Sequence, residues 1–203
     1  MTRQLEHWSG EFGREYTDRN VFDWRLRVPA FRRMVQNLSF ASVLEIGCNR
    51  GYNLLAMQEI VEPSVQLVGI DPNEYAAAKA RGCSPRITCL QGSVFHLPFE
   101  QGAFDLVFTA GVLIHVAPED LPRAIDEIWR VSRRYLLAME CFSETPTAVP
   151  YRDHSEMMWK QDFLKAYQER HRELVVLDQG AWGPEYWFDN AHWWLLEKPG
   201  PPR

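Results

Sequence analysis

Two histidines, His115 and His154, have side chains suited to moving a proton near neutral pH. Two carboxylates, Glu140 and Asp189, lie in stretches that would carry them toward the same crevice. His115 closes an apolar run directly after a strand-like segment, whereas His154 ends Pro150-Tyr151-Arg152-Asp153-His154, a loop holding an aromatic, a cation and an acid. Arg152 and Lys160 suit a ligand with a carboxylate. Trp187, with Trp182, Tyr186, Phe188 and Trp193 around it, offers flat faces that would cover a ring and equally suit a lid or a dimer contact. The chemistry available to this set is proton removal from a hydroxyl or amine held by aromatic and cationic groups. His115 and His154 are the candidate catalytic residues; Glu140, Tyr151, Arg152, His154, Lys160, Trp187 and Asp189 are the candidate substrate contacts.

A second constellation points to a bound nucleoside. The run Val43-Leu44-Glu45-Ile46-Gly47-Cys48-Asn49-Arg50-Gly51 is an apolar strand followed by a glycine loop, and Leu67-Val68-Gly69-Ile70-Asp71 is a second strand ending in an acid. Gly47 permits a sharp exit from the strand, and Gly51 permits close approach of a ligand to backbone. Asp71 lies 20 residues past Gly51, where a carboxylate can accept both ribose hydroxyl protons. Asn49 and Tyr52 occupy the positions that a dinucleotide-binding G-x-G-x-x-G would fill with glycine, which disfavours a nicotinamide-dependent oxidoreductase.

Strands must hold these groups in place. Further strands are expected at Arg86–Leu90, Phe104–Phe108, Tyr135–Glu140, Leu174–Leu177 and Trp193–Glu197, and helices at Tyr52–Val61, Pro118–Val131 and Lys160–Arg170. Such alternation predicts an α/β fold with a mostly parallel sheet covered on both faces. Gly47, Asp71, Ser93, Gly111 and Glu140 then all fall at carboxyl ends of strands, the edge where open sheets bind ligands. Near the amino terminus, Trp8, Phe12 and Tyr16 recur at four-residue spacing and share one helical face, with Arg19 and Asn20 beyond. Gly10 and Gly13 would let this segment bend as a lid over the crevice.

With 203 residues and 46% hydrophobic content the chain is expected to form one domain, residues 1–203. Within it, 1–40 reads as a helical lid segment, 41–141 as a cofactor-binding core, and 142–203 as substrate loop and final strands. The four cysteines, at 48, 83, 89 and 141, lack metal-ligand spacing, so reduced thiols and no metal are expected. Net charge is −5, which argues against nucleic acid as a partner, although Arg25, Arg27, Arg32 and Arg33 form a local basic group. No run is long enough for a membrane span and the amino terminus is unlike a secretory signal, so a cytoplasmic protein is expected.

The Glu45-x-Gly47-x-x-x-Gly51 pattern resembles the E-x-G-x-x-x-G signature of class I S-adenosylmethionine-dependent methyltransferases. That resemblance implies a Rossmann-like seven-stranded sheet of order 3-2-1-4-5-7-6, its last strand antiparallel. It implies S-adenosylmethionine as cofactor, leaving as S-adenosylhomocysteine, held by Tyr16, Arg19, Glu45, Gly47, Cys48, Asn49, Gly51, Asp71, Pro72, Ser93, Val94, Phe95, Ala110, Gly111 and His115. Gly92-Ser93-Val94-Phe95-His96-Leu97-Pro98-Phe99 matches the family's G-D-a-x-x-L-P-F adenine loop, with serine where aspartate is usual.

The terminal motifs are more specific. Trp8-Ser9-Gly10 through Arg19-Asn20, Gly111 to His115, Tyr151-Arg152-x-His154, Lys160-x-Asp162-Phe163 and Trp193 to Lys198 resemble the methyltransferases associated with pseudaminic acid biosynthesis. Glu140-Cys141-Phe142 stands where that family more often has E-Y-Y. The resemblance implies a small polar acceptor, a sugar or sugar-acid intermediate; a monomer or homodimer is expected, the oligomeric state being left open by the sequence. A different small metabolite, an amino-acid-like natural-product precursor, or cofactor binding without catalysis are the alternatives, and the acceptor atom is left open.

Overall fold

The structure is a computed structural model that describes residues 2–152, 154–188 and 190–200. Seven strands form the main sheet: β1 (Ser42–Ile46), β2 (Gln66–Asp71), β3 (Ile87–Gln91), β4 (Phe104–Ala110), β5 (Ser132–Glu140), β6 (Val175–Trp182) and β7 (Ala191–Glu197). Their order is 3-2-1-4-5-7-6, as expected. The β3-β2-β1-β4-β5 portion is parallel, and β7 runs antiparallel to both neighbours.

Alternate residues of each strand feed two cores. Val43, Leu67, Leu106, Phe108, Leu137 and Leu195 point to one face, with Phe31, Leu54 and Ala80 of covering helices α3 (Val28–Val35), α4 (Tyr52–Gln58) and α5 (Glu74–Arg81). Leu44, Val68, Val107, Leu136, Ala138 and Leu196 point to the other, beneath α6 (Leu121–Val131) and α7 (Phe163–Arg170). On α6, Leu121, Ala124, Ile125, Ile128 and Val131 recur at helical spacing and are all buried, which is what fixes that helix on the sheet. Burial on both faces explains the near-continuous apolar character of the parallel strands.

Several expected boundaries shift. The helix expected from Lys160 begins at Phe163, because the Asp162 carboxylate caps it by accepting the Lys165 N–H at 2.9 Å. Trp159–Lys160 instead pairs antiparallel with Thr147–Ala148 as a short ribbon. The strand expected at 174–177 runs on to Trp182, with alternating half-exposed residues typical of a sheet edge. Residues 1–40 divide into two kinds of structure: α1 (Arg3–Ser9) and α2 (Glu11–Arg19) form a hairpin at the carboxyl edge of the sheet, whereas α3 is a core helix with Phe31 fully buried.

The chain order of the strands reverses direction between β1 and β4, so their following loops flank one crevice. Among the described residues, no helix is long and apolar enough to cross a membrane.

Candidate active site

A cavity of about 360 Å³ fills that crevice. Its floor is the loop after β1, where Gly47 has φ +72°; a Cβ there would come within 2.4 Å of Val112 Cγ2, so glycine is needed for both the turn and the contact. Asn49 follows at φ +45° and donates its backbone N–H to Asp71 Oδ2 at 2.8 Å. Asp71 Oδ1 accepts the Asn73 N–H at 2.9 Å. Burial raises the Asp71 pKa to about 6 against the pull of these two N–H groups. A carboxylate has about four lone-pair sites, so each oxygen retains one for a ligand on the cavity side. Pro72, Ser93, Val94 and Phe95 complete this wall; Ser93 Oγ accepts the Phe95 N–H at 3.3 Å and shapes the loop.

The α1–α2 hairpin closes the cavity. Trp8 meets Phe12 and Tyr16 edge-on at 5.1 Å each and lies 4.5 Å from the His115 ring. Asn73 Nδ2 donates to the carbonyls of Trp8 at 3.1 Å and Gly10 at 2.9 Å, and Arg50 Nε donates to the Thr17 carbonyl at 2.6 Å. The hairpin is thereby pinned to the loops after both β1 and β2. Arg50 marks this role in sequence only by following the glycine loop, and Asn73 only by preceding Glu74 as a helix cap.

Glu45 sits behind the wall, fully buried, and its Oε1 accepts Asn53 Nδ2 at 2.6 Å. Burial holds its pKa well above the usual carboxylate range. Asn53 Oδ1 accepts Arg27 Nη1 at 2.6 Å, and Arg27 Nη2 donates to the Trp187 carbonyl at 2.7 Å. Glu45 therefore reaches the cavity only through Asn53 and Arg27. Both of those line the cavity. In the sequence Arg27 belongs to a local basic group and Asn53 carries no signal of its own.

A second cavity of about 150 Å³ adjoins the first, sharing Tyr16, Arg27, Ala110, Gly111, His115 and Phe188. His115 is half-buried; its Nδ1 lies 2.7 Å from the Met157 carbonyl, so Nδ1 carries the proton and Nε2 is the acceptor. Burial pushes its pKa down to about 4, partly opposed by that hydrogen bond. Glu140, at the end of β5, is fully buried and accepts the Val112 and Ile114 N–H groups at 3.2 Å each, which pins the loop carrying Gly111 and His115.

Burial raises the Glu140 pKa to about 7. The folded protein thus holds a proton that the unfolded chain releases near 4.5, and stability contributed by Glu140 is lost as pH climbs from about 4.5 to 7. We expect Glu140→Gln to flatten this dependence, a change on the order of 1 kcal/mol per pH unit. Urea midpoints at pH 5 and pH 8 measure it; equal slopes in both proteins would contradict this assignment.

The other sequence candidates divide clearly. Tyr16, Gly47, Cys48, Asn49, Asp71, Pro72, Ser93, Val94, Phe95, Ala110, Gly111, His115 and Trp187 line the main cavity, and Tyr151 and Glu140 the smaller one. Gly51 packs under Ala80 of α5, where its missing Cβ serves helix packing, not ligand approach. Arg19 lies exposed over Phe12 and Tyr16 and pairs with Glu15. Arg152, His154 and Lys160 are exposed and off both cavities, with the His154 ring 4.6 Å from His7 on the outer side of the hairpin. Asp189 lies outside the described residues. Cys48 Sγ meets Cys89 Sγ at 3.1 Å, both as free thiols in the core.

The fold is a seven-stranded, mostly parallel Rossmann-like sheet of the kind seen in solved S-adenosylmethionine-dependent methyltransferases. Residues 43–134 match the methyltransferase domain family. The chain is 31% identical over 166 residues to demethylmenaquinone methyltransferase of Lactococcus lactis, covering 78% of this chain and 64% of the relative. Over 86 residues it is 38% identical to tRNA U34 carboxymethyltransferase of Pseudoalteromonas atlantica, covering 40% and 26% of the two chains. Magnesium protoporphyrin IX methyltransferase of Synechocystis, solved with bound S-adenosylhomocysteine, superposes with a TM-score of 0.67 at 15% identity, over 96% of this chain and 98% of that one. The chain spans 26%, 27% and 64% of the length of three curated relatives it matches.

Proposed function

We propose that this protein transfers a methyl group from S-adenosylmethionine to a small molecule. The observation that carries the reading is the convergence of Asp71, the Gly47–Asn49 turn and the Ser93–Phe95 loop on one cavity closed by an aromatic hairpin. The residues fit the cofactor. Asp71 has carboxylate lone pairs for ribose hydroxyls, and the buried Asn49 Oδ1 has no hydrogen-bond partner, which an ammonium group would satisfy. The apolar side of the wall, with Val94 and Phe95, suits an adenine face.

When bound, the cofactor supplies a methyl carbon made electrophilic by positive sulfur, and the bonding pair remains on sulfur as the methyl leaves. The chain's own work is positioning and exclusion of water. The hairpin, held by Asn73 and Arg50, seals the donor side. His115 Nε2 orients an acceptor hydroxyl or amine by accepting its hydrogen bond; with a pKa of about 4 the ring stays neutral, and the proton passes on to water.

A sugar or sugar-acid acceptor is the finer reading, supported by the resemblance of the terminal motifs. Net charge of −5 favours a small molecule over the tRNA handled by one relative. Calorimetric titration with S-adenosylmethionine, S-adenosylhomocysteine and NADH tests the proposal. We expect both adenosyl compounds to bind and NADH not to; preference for NADH, or silence with all three, defeats it. Formation of S-adenosylhomocysteine with small-molecule acceptors separates turnover from binding alone.

A further inference from the structure

Cys48 and Cys89 are buried thiols that take no part in the proposed transfer. Cys48 follows Gly47 in the loop after β1 and lines the larger cavity, and Cys89 lies on β3. Strand β2 runs between β1 and β3, and its residue paired with Cys89 is Gly69. A Cβ on Gly69 would stand 2.7 Å from Cys48 Sγ, so the bare glycine is what lets the Cys48 side chain lie across β2. The two Sγ atoms come within 3.1 Å there. Disulfide sulfurs are about 2.05 Å apart, so a closing movement of about 1 Å joins them. Cys83, in contrast, is exposed and donates to the Arg50 and Lys79 carbonyls.

Resting on the reading of the larger cavity as an S-adenosylmethionine site, we infer that Cys48 and Cys89 form a redox pair that a hydroperoxide closes to a disulfide, lowering cofactor affinity. Cys48 reacts first because it alone of the two lines the cavity. Its sulfur attacks one peroxide oxygen; the O–O bond breaks, a sulfenic acid forms and water leaves. The Cys89 sulfur then attacks Cys48 Sγ, the S–OH bond breaks and a second water departs. Two electrons pass from the thiols to the peroxide, and both thiol protons end in water. The hydrogen bond with Cys89 and burial hold the Cys48 thiol well above its usual range, with the Asp71 and Glu45 carboxylates adding to this; the reaction is therefore slow at neutral pH and quickens as pH rises. The loop transmits the change. The Gly47 and Cys48 N–H groups both donate to the Ile70 carbonyl, at 2.7 and 3.1 Å, and the next residue, Asn49, holds Asp71. Drawing Cys48 toward β3 displaces this turn and the Asp71 contact with it, whereas a bound cofactor covers Cys48 and slows the oxidation.

The test exposes the full chain to hydrogen peroxide and reads intact mass, non-reducing peptide maps and calorimetric affinity for S-adenosylhomocysteine. We expect a loss of about 2 Da, the two thiol hydrogens, and a peptide linking Cys48 to Cys89. Affinity for S-adenosylhomocysteine is expected to fall on the order of tenfold or more and to return with dithiothreitol. Saturation with S-adenosylhomocysteine during exposure should slow the cross-link. Cys89→Ala should abolish the cross-linked species, with Cys48→Ala as the second variant should the first fail to fold, and Cys83→Ser should leave cross-link and affinity loss as in the wild type. Absence of the Cys48–Cys89 link, or a linked protein whose affinity stays within threefold of the reduced form, overturns the inference. Failure of the untreated wild type to bind S-adenosylhomocysteine overturns the methyltransferase reading itself, which the mass measurement does not touch.

Discussion

Asp71→Ala is expected to reduce S-adenosylmethionine affinity by a factor on the order of 100 or more. Two ligand hydrogen bonds to a charged acceptor are removed, each contributing about 1.5–3 kcal/mol, and the substitution also strands two backbone N–H groups, those of Asn49 and Asn73. The second loss matters because those bonds set the Asn49 turn and the start of α5. Asp71→Asn keeps one acceptor and should fall between wild type and alanine. The pH dependence has a definite sign. Because the free protein's Asp71 titrates at about 6, and ribose hydroxyls bind its ionised form, affinity should fall as pH drops below about 6. Calorimetry at pH 5 and pH 8 checks both effects; alanine binding within threefold of wild type would rule out the assigned role.

Gly13→Ala should release the hairpin without unfolding the sheet. A Cβ at this position would stand 1.9 Å from the Trp8 carbonyl oxygen and 2.8 Å from Asn73 Nδ2. No rotamer relieves a clash with backbone, so α2 must leave α1, and the Asn73 bonds to Trp8 and Gly10 break with it. Trp8 and Tyr16 then leave the cavity wall. We expect cofactor affinity to fall on the order of tenfold or more. Limited proteolysis should cut within residues 1–20, while the thermal midpoint of the core changes little, since the hairpin's contribution to the main cores is the partly buried Leu5 alone. Intact resistance to protease would show that the hairpin tolerates the methyl group.

Much of the fold was legible because its causes are local. Val43 to Ile46, broken only by Glu45, and Leu67 to Ile70 are apolar runs, the mark of strands covered on both sides, and Asp71 ends its strand at the carboxyl edge of the sheet. The ribbon at Trp159–Lys160 was not legible, because two-residue pairing leaves no periodicity, and Asp162 reads as a helix cap only once the helix is seen.

At the site, the chemistry of individual residues was clearer than their directions. Arg152 and His154, on a loop, and Lys160, on the short ribbon, carry suitable groups but lie exposed off both cavities, whereas Arg27, one member of a basic group before the first strand, turns inward to Asn53. Sequence by itself determined the strand order through resemblance, the turn at Gly47 and the acid at Asp71, since these follow from backbone conformation and strand ends. Tertiary structure decided which cations face the cavity, that Glu45 binds Asn53, that Glu140 holds a loop, and that a smaller chamber adjoins the larger one. Those outcomes depend on side-chain direction and on contacts between segments far apart in the chain, which burial and close packing fix only when the whole fold is assembled.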